Sequence, residues 1–486
     1  MSEAPRRVPR RVLAVASECA PLVKTGGLAD VVGALPAALA PQGWAVRTLI
    51  PGYRRVLGGL KKPREVLAIP DLLGHPARIL TVKAEGLDLL VLDAPALFDR
   101  EGSPYLDADG NDWPDNDLRF AALCKAAAMV AAQGIGDWRP EVVHLHDWQA
   151  GLVPDYMAAL SAPQPSLLTI HNIAFHGLTT ADRLKKLELP ESSFTLDGFE
   201  YYGHISALKA GLTRASALNT VSPTYAQELA TEEFGMGLEG VIRTRAPDLC
   251  GILNGIDTQG WNPATDPAIH TFTGPAAKAA NTRALRAEFG LEPAKGPLAV
   301  VVSRLSDQKG LDLLLAALPA LLTGGGQLAL LGSGDRRLEN AWLTVAAENP
   351  GQVAARIGYD EALSHRMYAG ADAVLVPSRF EPCGLTQMYG LRYGAVPVVA
   401  RTGGLADTVI NANAAALAAG CATGIVHAPQ SVPALSAALT QLCALHADPP
   451  VFRRIQKNAM KHPVGWDASA PLYAALYARL APSESA

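Results

Sequence analysis

The stretch Thr-Gly-Gly-Leu-Ala-Asp at Thr25–Asp30 recurs, residue for residue, at Thr402–Asp407. Each copy follows an apolar run that reads as a strand, Val12–Ala16 in one case and Val396–Ala400 in the other, and each opens a helical pattern. A glycine loop between strand and helix offers main-chain N–H groups and the positive end of a helix dipole, both of which favour anions. The repeat therefore predicts two α/β domains, each aiming a helix N-terminus at a shared cleft. Glycine pairs also permit tight strand-to-helix turns, and that plainer reading stands beside the first.

Working outward, strands and helices alternate from Leu298 onward: LAVVVSRL, a helix from Leu311, QLALLGSGD, a helix from Arg337, RIGY, a helix around Met367, AVLVPS, a helix after Gly384, and VPVVA. The first half alternates in the same way through VLAVAS, VRTLIP, VVHLHD, SLLTIHN, ALNTVS and CGILNGID, with Val66 to Asp93 inserted as hairpins. The fold class is α/β, with two doubly wound Rossmann-like domains facing a cleft. The expected organisation is an N-terminal domain over 1–256, a C-terminal domain over 257–462, and a final segment, 463–486, whose amphipathic run Trp466–Leu480 packs back on the first domain. Asp257 to Pro297 lacks strand pattern, and the linker is expected near Asn254 to Pro263.

The 486 residues, 49% hydrophobic and 18% charged, suit two or three globular domains. A net charge of −4, with no basic run beyond the N-terminus, argues against a nucleic-acid partner. The six cysteines show no C-x-x-C spacing and mostly lie in apolar runs, as free thiols of a cytoplasmic protein do. Arg6, Arg7, Arg10 and Arg11 precede a short apolar stretch in the manner of a signal peptide, but Glu18 interrupts it and the glycine loop follows at once. Arg11 to Ser17 is read as the first strand. No run of 18 apolar residues exists, so no membrane span is expected.

Three motifs fail on context. Gly235, Gly237 and Gly240 satisfy G-x-G-x-x-G, yet the residues before them read as helix. Asp107, Asp109, Asn111, Asp112, Asp115 and Asp117 crowd one loop, but the sixth position of an EF-hand register holds Asp112 and the twelfth Leu118, so a hydrogen-bonded loop is expected. His144 and His146 share a strand face without a third His or Cys nearby, which favours hydrogen bonding over metal.

What remains sits at the C-terminal ends of strands, where open α/β sheets place ligands. These groups are Lys24 with Gly26 and Gly27; His146, Asp147 and Trp148; His171 and Asn172; Asn254, Gly255 and Asp257; Arg304 and Lys309; Gly332 and Gly334; Glu381, Cys383 and Gly384; and Gly403 with Gly404. Glycine turns with Lys24, Arg304 and Lys309 point to a diphosphate. Glu381 either caps the helix after Gly384 or binds a polyol hydroxyl. Nucleotide and polyol together mean a sugar nucleotide.

The segments KTGGLADVVGALPAAL, VVHLHDWQAGL, TIHNIAFHG, TVSPTYAQE, GILNGIDTQGWNP, SRLSDQKGLDLL, PSRFEPCGLTQMYGLRYG and PVVARTGGLADTV resemble the bacterial glycogen synthases over nearly the whole chain. That resemblance implies the B-type glycosyltransferase fold and a retaining transfer of glucose from ADP-glucose to the non-reducing end of a glycogen or α-1,4-glucan primer, with no cofactor and no metal. It implies that Lys24 touches the donor phosphates, Arg304 and Lys309 neutralise the departing diphosphate, and His171 and Asp147 line the glucosyl pocket. Glu381 would hold sugar hydroxyls, helped by amides after Cys383, while Asn254 lies in the matching N-G-I-D segment and Tyr105 on the acceptor side. Two departures stand out: Gln149 where a His is common, and Ser306 with Asp307 in place of Thr-Trp, the latter adding a negative charge near Arg304 and Lys309. A glucan phosphorylase, a glycoside hydrolase using Asp147 and Glu381, and a non-catalytic glucan-binding protein are the alternatives. The sequence carries no signal for an oligomeric state.

Overall fold

The computed structural model describes residues 8–107 and 109–482, so Arg6 and Arg7 lie outside the described residues. The chain divides into two compact units, Met1–Val221 with Ala226–Leu253 and Trp466–Ala486, and Ser222–Tyr225 with Asn254–Gly465. The division falls at Leu253, ahead of the expected 256/257 boundary, because Ile256 already donates its N–H to the Val464 carbonyl at 2.8 Å. The last segment of the first unit begins at Trp466 rather than at 463.

The strands of the first unit are β1 (Arg10–Val15), β2 (Trp44–Pro51), β3 (Arg64–Leu72), β4 (His75–Ala84), β5 (Leu87–Asp93), β6 (Val142–His146), β7 (Ser166–Ile170), β8 (Leu178–Thr180), β9 (Glu200–Tyr201), β10 (His204–Ser206), β11 (Ala217–Thr220) and β12 (Leu249–Gly251). One sheet runs β12-β11-β7-β6-β1-β2-β5-β4-β3, and β8-β10-β9 form a small second one. The large sheet is parallel except where β3 and β4 meander antiparallel onto β5, which accounts for the inserted hairpins. Every residue of β6 and β7 is buried, as expected for strands covered on both faces, and this is why they read as unbroken runs rather than alternating ones.

Of the polar residues in those central strands, His144 and Thr169 bond each other. His144 Nε2 lies 2.6 Å from Thr169 Oγ1, which donates to Asn219 Oδ1 at 2.5 Å; the other ring nitrogen of His144 lies 2.7 Å from the Tyr477 hydroxyl. Asn219 donates onward to the Tyr473 hydroxyl at 3.2 Å. This buried polar chain ties β6, β7 and β11 to the C-terminal helix Trp466–Leu480. The same helix buries Trp466, Tyr473, Leu476 and Tyr477 against Val31, Leu35 and Leu39 of α1 (Gly27–Leu39) and against Val12 and Trp44.

The second unit has β13 (Leu298–Val302), β14 (Gln327–Gly332), β15 (Val353–Ile357), β16 (Ala373–Val376), β17 (Val396–Ala400) and β18 (Ile425–His427), all parallel in the order β15-β14-β13-β16-β17-β18. Counted along the chain this is 3-2-1-4-5-6, the doubly wound order whose direction reverses between β13 and β16. In the first unit the reversal lies between β1 and β6. One local reading needs correction, and two details lay beyond the pattern. RIGY is only half strand, since β15 ends at Ile357 and Tyr359 is exposed; β18 is too short to carry a pattern; and 257–297, without a named strand as its pattern implies, holds α2 (Ala279–Phe289). Among the described residues no helix is long and apolar enough to cross a membrane.

Candidate active site

In the first unit the glycine loop lies after β1, at one side of the reversal. Its anchor is Glu18, a residue that sequence reading took only for an interruption of an apolar run. Glu18 is 3% exposed, and its carboxylate accepts hydrogen bonds from Thr25 N, from Thr25 Oγ1 at 2.6 Å, from Gly26 N at 3.4 Å and from the Tyr105 hydroxyl. Tyr105 also lies 2.7 Å from Ser17 Oγ, so it braces the loop. Lys24 reaches along the helix start to Asp30, the last residue of the repeat, at 2.8 Å. A Cβ added at Gly26 or Gly27 would meet nothing within 4 Å, so these glycines leave open space beside the backbone.

At the other side of that reversal, Asp147 follows β6 with φ +57° and ψ −168°, a backbone region costly for any residue with a side chain. The conformation is held by its N–H on Thr169 O at 3.0 Å and by its Oδ1, which accepts His171 N at 2.6 Å and Asn172 N at 3.3 Å. Burial pushes the Asp147 carboxyl up to about 7 against those two donors, with the Glu18 charge adding to the rise. His146 Nδ1 lies 3.0 Å from His171 Nε2. Burial lowers His171 to about 3; burial and then His171 lower His144 to about 3; His146 is pulled well below the histidine range by burial, then by His144 and His171. The three imidazoles are thus neutral near pH 7, and each has hydrogen-bond partners.

In the second unit, Arg304 and Lys309 follow β13 and Glu381 follows β16, the two strands that flank the reversal. Lys309 Nζ lies 2.5 Å from Glu381 Oε2, which also accepts from Ser378 Oγ at 2.9 Å. Gly310, at φ +63°, lets the chain come this close: a Cβ there would sit 2.2 Å from Pro377 O. Glu381 does not cap a helix, since the helix Thr386–Tyr393 has Leu385 at its N-cap and no side-chain cap. The Arg304 guanidinium is exposed, without a hydrogen-bond or ion-pair partner among the described residues. Asp307 turns outward, 86% exposed and 3.3 Å from Arg379, which also forks onto Asp312 at 2.8 and 2.7 Å. Asp307 therefore shares Arg379 with Asp312.

The second glycine loop does a different job from the first. Gly403 has φ +42°, and a Cβ on it would lie 2.0 Å from Glu381 O; one on Gly404 would lie 2.3 Å from Cys383 O. Gly404 N donates to the carbonyls of Glu381 and Pro382 at 3.2 and 3.1 Å. Here glycine serves backbone-on-backbone packing that fixes the Glu381 segment, and the Gly404 amide is already used. Gly332 likewise lets β14 approach Ser303 O, and Gly384 has φ +72°. Cys383 is buried, its thiol pushed up to about 12, so it behaves as an inert neighbour. Asn254 is buried beside it, with Oδ1 lacking a protein partner.

The acidic loop forms ordinary hydrogen bonds and ion pairs. Asp107 accepts from Asp109 N and Asn111 N, Asp115 pairs with Arg100 at 2.7 and 2.8 Å, and Asp117 pairs with Arg183 at 2.6 and 2.9 Å.

Residues 11–244 match the starch synthase catalytic domain family, and residues 284–462 match the glycosyl transferases group 1. The chain is 61% identical to a glycogen synthase of Paracoccus denitrificans, over 97% of this chain and 99% of that one, and 60% identical to a glycogen synthase of Jannaschia sp., over 96% and 98%. Among solved structures, the catalytic domain of starch synthase IV from Arabidopsis thaliana, bound to ADP and acarbose, superposes with a TM-score of 0.86 at 30% identity, covering 97% of this chain and 99% of that one.

Proposed function

Because the chain belongs to the bacterial glycogen synthases, we propose that it transfers glucose from ADP-glucose to the non-reducing end of an α-1,4-glucan with retention of configuration. It is a glycosyltransferase with two Rossmann-like domains of the B-type fold. The observation that carries the donor assignment is the arrangement at the second sheet's reversal, where Arg304, Lys309 and Glu381 converge on the β13 and β16 ends.

In this reading the bond between the glucosyl anomeric carbon and the diphosphate breaks with its electron pair going to ADP. Arg304 and Lys309 meet the charge that grows on the departing phosphates, which is where fixed cations lower a barrier most. Glu381 takes sugar hydroxyls and offsets positive charge on the ring, with Gly384 amide and the Cys383 segment beside it and Gly403, Gly404 and Gly332 holding that segment in place. The acceptor oxygen attacks from the face the phosphate leaves, passing its proton to a phosphate oxygen. On the first unit, Asp147 and neutral His171 line the glucosyl site with Asn172, while Lys24, Gly26 and Gly27 take donor phosphate and Tyr105 supports the acceptor side through Glu18. Lys24 must then share its ammonium with Asp30. Asn254 has an unused buried acceptor for a ligand hydroxyl. The reading needs neither cofactor nor metal. All six cysteines are free thiols, which supports a cytoplasmic setting.

The test is initial-rate kinetics on a glycogen primer with ADP-glucose and UDP-glucose in parallel. Higher kcat/KM for ADP-glucose is expected; no transfer from either donor would overturn the reading.

A further inference from the structure

At the opposite edge of the second sheet from Arg304 and Glu381, where β13 and β16 begin, the unit holds a cavity of about 430 Å³. A five-residue parallel strand spans about 17 Å, so the two places are separated by the length of the strands. The lining includes Lys278, Arg283, Arg286, Lys295 and Arg453, with Asp372 as its one carboxylate. None of the five cations has an ion-pair partner among the described residues. Lys278 is 3% exposed, donates hydrogen bonds to the carbonyls of Tyr368 and Tyr393 at 3.1 and 2.6 Å, and lies 5.1 Å from the centre of the Phe272 ring; burial lowers its ammonium to about 7 against the Asp372 charge. Arg286 is steered by neutral groups, Gln327 Oε1 at 2.8 Å and Gly296 O at 3.3 Å. Arg283, Lys295 and Arg453 are exposed at the rim. Asp372 is already engaged by Leu298 N at 2.9 Å and lies 3.6 Å from His446.

By contrast, Arg54, Arg78, Arg100, Arg183, Arg214, Arg366 and Arg379 each face a carboxylate. A chain with net charge −4 has no general excess of cations to scatter. Gathering these cations around one carboxylate leaves a positive lining that an anion would compensate, with Lys278 adding its charge when protonated. The first turn of α2, which has no side-chain cap, adds its dipole from Ala279. The volume falls in the range of small-molecule sites, and guanidinium forks match phosphate oxygens in pairs.

We propose that this cavity is a second ligand site, separate from the donor site, which takes a small organic phosphate carrying two or more negative charges. The test uses the full chain and inorganic pyrophosphate as probe, by titration calorimetry with one molar equivalent of ADP, which fills the tighter donor site and leaves the second site free. One pyrophosphate per chain is expected to bind despite the ADP. The double variant Arg283→Glu with Arg453→Glu, at two exposed positions, is expected to weaken that binding by about 10²-fold, because two charge-assisted contacts are reversed. Its ADP affinity and melting curve should match wild type. Absence of ADP-independent binding at millimolar pyrophosphate, or equal binding by the double variant, would overturn the proposal.

Discussion

Replacing Glu381 by glutamine separates a group that works on the reacting sugar from one that merely steadies a lysine. Both protein donors, Lys309 Nζ at 2.5 Å and Ser378 Oγ at 2.9 Å, reach the same oxygen, Oε2. The amide carbonyl of glutamine can occupy that position, so both hydrogen bonds survive while the charge is lost. Hydrogen bonds to charged groups contribute roughly 1 kcal/mol more than neutral ones, so two of them together lose about 2 kcal/mol. At about 2–4 °C per kcal/mol for a unit of this size, the melting transition should fall by about 4–8 °C, leaving the protein folded at assay temperature. If Glu381 also balances positive charge on the glucosyl ring, turnover should fall by about 10²–10³-fold, with KM for ADP-glucose little changed. Release of ADP at saturating substrates measures this, alongside calorimetric melting. Lys309→Met and the double variant complete the cycle: a carboxylate acting only through Lys309 makes the double variant no slower than Lys309→Met, whereas a direct role slows it further. A folded Glu381→Gln enzyme with turnover within a few-fold of wild type would refute the assignment.

Glu18→Ala strips the acceptor from Thr25 N, Gly26 N and the Tyr105 hydroxyl, and should cost about 2–4 kcal/mol in thermal or denaturant unfolding of the first unit, together with a large loss of transfer rate; unaltered stability would show that the loop needs no anchor. Gly403→Ala should destabilise by more than 2 kcal/mol, from φ +42° and a Cβ 2.0 Å from Glu381 O, whereas Gly26→Ala should change stability by less than about 0.5 kcal/mol while impairing donor binding; calorimetry paired with ADP titration checks both. If the ionised form of Asp147 is the working one, kcat/KM should rise with pH to a plateau above about 7, and Asp147→Asn should abolish that limb. For stability the sign is opposite: the folded value of Asp147 is raised, so its contribution is complete below the unfolded value near 4 and fades as pH rises through about 7. The depressed values of His144 and His171 act the other way, their contribution being complete above about 6.5 and fading as pH falls toward 3. Between about pH 4 and 6.5 the two trends oppose each other, so Asp147→Asn should steepen the rise of melting temperature with pH there and remove the decline between about 6.5 and 7.

Much of the fold was legible because central strands such as β6, β7 and β17 are covered on both faces and must be apolar throughout, leaving glycine loops as the conspicuous breaks. The positions of Arg304, Lys309 and Glu381 followed from strand ends alone. What sequence could not show was which partner each loop would meet. Two identical hexapeptides read as equivalent, yet Gly26 faces open space and Gly403 presses on a carbonyl from a segment over twenty residues earlier in the chain. Asp307 read as a threat to the cations because Arg379, 72 residues away, is not its neighbour in sequence. Glu18 carried a signal that was misread: a lone carboxylate just past an apolar strand and seven residues before Thr25 had to find donors. β18, three residues long, offered no periodicity to detect.

The account stands or falls on the bond the protein makes. Proton NMR of the full chain with ADP-glucose and a short α-1,4-oligosaccharide follows donor loss, ADP release and the new anomeric signal in one tube. The account predicts one ADP released for each new α-1,4 linkage at the non-reducing end, with the α anomer formed first and the rate unchanged by chelation. A β-linked product, or free glucose appearing in place of a lengthened chain, would contradict it.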